Sequence, residues 1–171
     1  MAIEHERLTR RLHLAVALLS AWLILTSPWV AMLRRLPRAA GWLNHSHLVL
    51  GLLALLLAIA YLVECTRDGR WRLYFPWIAG QGGAAARDLG GLLRGRIPTA
   101  EGGGLFAVIE GITLLGLLAT AVTGAAWFAC QGSGEALTWR GWHIVAARGL
   151  TVLIVVHVVT VSLHLLDFLR D

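Results

Sequence analysis

The sequence predicts an all-α membrane protein built as a four-transmembrane-helix bundle. Hydrophobic residues make up 57% of the chain and charged residues only 15%, far from the usual make-up of a soluble domain. Mean hydropathy is positive. The apolar character gathers in four runs, residues 12–33, 47–64, 105–129 and 142–169, and each approaches or exceeds the ~20 helical residues that cross a bilayer core. In a chain of 171 residues these runs leave no room for a separate soluble domain, so 1–171 reads as one transmembrane unit with membrane lipid as its surroundings.

The first run follows an Arg-rich start, as a secretory signal would. It is longer than an h-region of ~7–15 residues and lacks a small-x-small cleavage site, so it reads as a true first helix. The connection 34–44 is short and carries Pro37, and 131–140 is a Gly/Ser turn. The connection 65–104 is the longest. Its aromatic and basic stretch from Arg70 to Trp77 suits the headgroup layer, Ala84 to Leu93 predicts a short interfacial helix, and the Gly- and Pro-containing stretch 95–104 is a flexible approach to helix three.

All fifteen basic residues are Arg, and the formal net charge is +5. In a soluble protein that balance would suggest nucleic acid; here it reports topology, and no nucleic-acid partner is expected. With the N-terminus inside, Arg7, Arg10, Arg11, Arg67, Arg70, Arg72, Arg87, Arg94, Arg96 and Arg170 collect on the inner side, against Arg34, Arg35, Arg38 and Arg140 outside. The positive-inside rule then places both termini in the cytoplasm. In that topology Cys65 and Cys130 face opposite sides and cannot pair.

The chemistry lies in the histidines. Of seven, His13, His143, His157 and His164 sit inside apolar helices, where an uncompensated polar group is costly. His143 and His157 are fourteen residues apart on helix four, so they share a face and are separated by ~21 Å along the axis. Helices one and two offer a partner at each level: His13 near the inner end of helix one, His47 at the outer start of helix two. Facing imidazoles from two helices of a bundle ligate a haem iron from both sides, so two pairs imply two haems in the core. No Cys-x-x-Cys-His occurs, which predicts b-type rather than c-type haem. Zinc suits the pattern poorly, since it prefers four ligands at one point.

His164 lies two turns beyond His157 on the same face and competes with it as ligand. Pairing His143 with His164 would spread the two sites over ~31 Å, which favours His157; His164 then contacts a propionate or a quinone. His45 reads as an alternative ligand or a solvated surface residue, and His5 as a mobile tail residue. Gly51, Gly124 and Gly149 allow close helix packing or clearance for a haem ring. Arg148 lies some 140° off the face of His143 and reads as a propionate contact, a snorkelling residue or half of an ion pair. Glu110, near the inner end of helix three, is a candidate proton carrier for a quinone or a salt-bridged carboxylate.

These residues resemble a known family: the di-haem cytochrome b membrane subunits of bacterial formate dehydrogenases and nickel-iron hydrogenases, and the related bacterial cytochrome b561 proteins. The likeness spans nearly the whole chain. It rests on Arg10 and His13, His47 and Gly51, Thr123 and Gly124, and Trp142 and His143 followed by His157 and His164. The resemblance implies a multi-pass protein of the bacterial inner membrane, with His13 and His157 on the cytoplasmic-side haem and His47 and His143 on the periplasmic-side haem. It also implies quinone exchange near the cytoplasmic-side haem, where Glu101 in the approach to helix three is a candidate contact. The Thr-Ala-Glu-Gly-Gly-Gly sequence there departs from the Asn-containing family pattern.

The expected function is therefore electron transfer between the quinone pool and a periplasmic redox partner or a dehydrogenase or hydrogenase complex. Two other classes stand beside it: a stand-alone superoxide:quinone oxidoreductase, for which Arg34, Arg35 and Arg38 would attract anions, and a non-redox membrane anchor of a peripheral complex. Nothing resembles a hydrolytic triad, a phosphate loop or a nucleotide fingerprint.

Overall fold

The computed structural model describes the backbone of residues 2–94 and 104–168 and the side chains of 4–94 and 104–162. Among these residues there is helix and no strand. Six helices follow one another: α1 (Ala2–Thr26), α2 (Trp42–Thr66), α3 (Trp71–Tyr74), α4 (Gly82–Leu92), α5 (Leu105–Ala129) and α6 (Ala136–Phe168). Four of them are long and apolar enough to cross a membrane, over Glu4–Trp29, Trp42–Gly69, Leu105–Ala129 and Ala136–Ser162. Their outward residues are those a lipid solvent favours: Leu14, Leu18, Leu25, Leu56, Val145, Val152 and Val158 are all exposed, and in water such apolar surface would drive association.

The helix ends differ from the hydropathy runs. α1 begins ten residues before the first run, because the charged stretch from Glu4 to Arg11 continues the same helix. It ends at Thr26 rather than at Leu33, where Pro28 enters a 3-10 turn, Ser27–Trp29, since proline has no N–H for the helical ladder. α2 starts at Trp42, five residues ahead of its run, and α6 starts at Ala136, six ahead. His47 and His143 therefore lie within the first two turns of formed helices rather than at their openings. The short helix expected over Ala84 to Leu93 is α4. Neither Cys65 nor Cys130 forms a disulfide.

The chain gathers into two compact units. The first joins Met1–Glu64 to Gly116–Leu150, and the second joins Cys65–Leu115 to the chain from Thr151 onward. In the first unit α1 and α2 run antiparallel: Trp22 meets Trp42 with ring centres 6.3 Å apart, His13 meets Tyr61, and His5 meets Glu64. A small apolar cluster of Met32, Trp127 and Ala136, with Val30, Leu36, Leu48 and Trp139 packed on it, lies where the loop after α1 meets α5 and α6.

That loop is held by long-range hydrogen bonds that leave no periodic trace in the sequence. The buried Asn44 side chain accepts from Ala31 N–H at 2.9 Å. Trp127 Nε1 donates to the Leu33 carbonyl at 2.8 Å and Arg140 Nε to the Met32 carbonyl at 2.6 Å. Gln131 accepts from Leu36 N–H at 3.0 Å, and Gly132 N–H donates to the Arg34 carbonyl at 2.9 Å. In the second unit, Asp88 of α4 accepts from Leu105 N–H at 2.9 Å, so a carboxylate from another helix caps one of the otherwise unpaired first-turn donors of α5.

Candidate functional site

α2 enters the site through a polar first turn. The Gly41 carbonyl accepts from the N–H groups of Asn44 and His45, His45 turns its own Nδ1 back to Gly41 O at 3.2 Å, and Ser46 bonds back to Leu43 O. His45 is thus exposed and locally bonded, and His47, two residues on, points elsewhere. α6 starts behind a Ser133 hydroxyl that accepts from Glu135 N–H, and His143 follows two turns in. Leu48 packs on the loop cluster, so the anchoring of that loop and the placing of His47 are mechanically linked.

The rings of His47 and His143 face one another with centres 6.3 Å apart and planes at 86°. Two metal–imidazole bonds of about 2 Å each, plus roughly 1 Å from each nitrogen to its ring centre, add up to about 6 Å. The observed separation is close to that sum.

The neighbours of His143 settle which nitrogen is free to act. Its Nδ1 lies 2.9 Å from the Thr120 carbonyl; a carbonyl only accepts, so Nδ1 carries the proton and the Nε2 lone pair is left for a metal. Thr120 O also accepts from the Thr123 hydroxyl at 2.9 Å. Gly124 makes this approach possible, because a Cβ there would stand 3.1 Å from both Nδ1 and Cε1 of His143. Of the three glycines singled out in the sequence, Gly124 supports the histidine directly, whereas Gly51 and Gly149 have nothing within 4 Å of where a Cβ would stand. On the opposite ring, His47 Nδ1 is buried with no hydrogen-bond partner among the described residues, an exception to the rule that buried polar atoms are paired.

His13 is placed differently. Its Nδ1 lies 3.0 Å from the Tyr61 hydroxyl, with the rings edge to face at 5.6 Å. Tyr61 follows His47 on α2 by fourteen residues, the same interval that separates His143 from His157, so His13 sits ~21 Å along α2 from His47. That shared interval was available in the sequence, but a tyrosine in an apolar run does not stand out. His5 also departs from expectation: it belongs to α1 rather than to a mobile tail and lies 3.0 Å from the Glu64 carboxylate.

In the second unit, His157 is partly buried on α6, and the side chain of His164 and the whole of Glu101 lie outside the described residues. Arg148, in the first unit, is exposed, as is Glu110 in the second. Near Glu110, Tyr74 is held as a neutral phenol: burial pushes its pKa up, and its hydrogen bond with Cys65 and the nearby Cys65 and Glu110 charges act the same way. Among the described residues no group of three or more His, Cys, Asp or Glu side chains is placed to hold a metal ion.

Comparison with protein families matches residues 4–167 to prokaryotic cytochrome b561. The chain belongs to the prokaryotic cytochrome b561 family. As a cytochrome b561 family member with four membrane-length helices, it is a multi-pass membrane protein, and membership implies b-type haem and electron transfer. The residues present fit that cofactor: facing imidazoles at the right separation, one with its tautomer fixed and the other with an orphaned buried nitrogen. No curated protein and no solved structure matches the chain.

Proposed function

We propose that this chain is a di-haem electron conduit of the inner membrane, linking the quinone pool to a redox partner subunit, with His47 and His143 as the axial ligands of one haem and His13 and His157 as those of a second. The observation that carries the reading is the His47–His143 pair, 6.3 Å apart across two helices. Bound between such residues, b-type haem supplies a one-electron couple within the bilayer.

The chain's own groups do the rest. The Thr120 carbonyl, by accepting from His143 Nδ1–H, holds the ring's orientation and raises the basicity of Nε2. Gly124 keeps the α5 surface low enough for that bond to form. The loop 30–41, fastened by Asn44, Trp127, Gln131 and Arg140, stiffens the end of the unit from which His47 and His143 project. For the second pair the support is the sequence interval: His157 follows His143 by the same fourteen residues by which Tyr61, the neighbour of His13, follows His47. The excess of Arg on one side supports both termini being cytoplasmic, with quinone exchange at the His13 end and the partner at the other.

The test is the reduced-minus-oxidised absorption spectrum of the detergent-purified protein, with haem counted per chain, for wild type and for His143→Ala and His157→Ala. The expected result is two haems in wild type and one in each variant. One haem or none in wild type, or variants that keep the full count, overturns the assignment.

A further inference from the structure

The electron route leaves unused a second pair of ionisable side chains in the first unit. His5 Nδ1 and Glu64 Oε2 are 3.0 Å apart, joining the start of α1 to the end of α2. Glu64 is a buried carboxylate, 8% exposed, near the end of a membrane-length helix. The His5 side chain is the more open of the two, at 28% against 10%. A buried ionisable group at the end of a membrane-length helix is a functional candidate, because burial deprives it of solvation.

The pair lies at the end of the unit that carries His13. Tyr61, which touches His13, precedes Glu64 by three residues, about one turn of α2. His5 precedes His13 by eight residues, a little over two turns of α1, and the Thr9 hydroxyl between them bonds back to the His5 carbonyl. An imidazole toward the rim with a carboxylate behind it is a two-step path for a proton: His5 exchanges with water, and Glu64 exchanges with His5.

We infer that the His5–Glu64 pair is the proton-exchange site for quinone chemistry at the His13 end. The inference rests on the quinone-linked reading above. Reduction of one quinone to quinol consumes two electrons and two protons. The electrons arrive one at a time from the one-electron redox partner, and the protons enter from water through His5 and Glu64. In the reverse direction the two protons leave by the same groups while the partner takes the two electrons. Neither step changes a covalent bond of the protein.

The experiment compares two ways of reducing the purified full-length protein by stopped flow: decylubiquinol, which must release protons, and dithionite, which reduces without proton transfer to the chain. Wild type, Glu64→Gln, Glu64→Asp and His5→Asn are measured. The expected result is that Glu64→Gln and His5→Asn slow quinol-driven reduction at least tenfold, leave the dithionite rate and absorption spectrum unchanged, and that Glu64→Asp recovers at least half the wild-type quinol rate. Quinol rates within twofold of wild type in Glu64→Gln or His5→Asn overturn the inference while leaving the quinone reading intact. A wild-type protein that quinol does not reduce overturns both. Should Glu64→Gln lose haem, a wild-type quinol rate in His5→Asn assigns the pair a structural role and overturns the inference.

Discussion

Replacing Gly124 by Ala tests the support of His143 with a single methyl group. The added Cβ would stand 3.1 Å from Nδ1 and Cε1 of the ring, so the imidazole must retreat by a few tenths of an ångström. The retreat acts directly on the 2.9 Å bond from Nδ1 to the Thr120 carbonyl. Overfilling a packed site costs about 1–3 kcal/mol, and loss of an outer-shell partner of a metal-bound His lowers metal affinity by ~10–100-fold, or about 1.4–2.8 kcal/mol. Haem content per chain and the midpoint potential of each haem are the assay. One haem is expected to need a higher haem concentration for occupancy and to shift in potential, while the other keeps wild-type values. Full retention of both haems with unchanged potentials would refute the supporting role given to Gly124 and Thr120.

Three further outcomes follow from contacts in which no histidine takes part. Asp88→Ala leaves Leu105 N–H without its acceptor and is expected to lower thermal stability by about 1 kcal/mol, with Asp88→Asn retaining most of it; equal melting of Asp88→Ala and wild type would contradict the cap. Trp127→Phe removes the donor to the Leu33 carbonyl, at about 1–2 kcal/mol; amide exchange at Ala31, Leu36 and Gly132 is expected to accelerate, and unchanged exchange would show that the remaining bonds hold the loop alone. Tyr74 titrates above its ordinary pKa of 10.0 because of burial first and the Cys65 contact second. The folded chain therefore keeps the phenol proton at a pH where the unfolded chain loses it, so stability falls as pH rises past 10. Tyr74→Phe is expected to flatten that fall in an alkaline denaturation series.

The parts of this architecture that were legible in the sequence are those that repeat along a helix. Four apolar runs marked the four membrane-length helices, and the depths read for His47 and His143 agree with rings that stand edge on to one another, their centres 6.3 Å apart. Helix ends were not legible from hydropathy, because helices continue past the apolar stretch when charged residues such as Glu4 to Arg11 still favour them. The roles of Asn44, Asp88, Trp127 and Arg140 depend on partners 13 to 108 residues away, and no local pattern marks such bonds. Thr120 was hidden for a different reason: its backbone carbonyl, not its side chain, orients His143. His5 looked like a tail residue because its partner, Glu64, lies at the far end of the next helix.

The most direct test of the central claim is the low-temperature electron paramagnetic resonance spectrum of the oxidised protein. Imidazole planes at 86° barely split the two iron orbitals that parallel planes would separate, so a haem held by His47 and His143 gives a highly anisotropic low-spin signal. The account predicts that signal in wild type and its loss in His143→Ala. A signal of that kind unchanged in His143→Ala, or a wild-type spectrum with none, would contradict it.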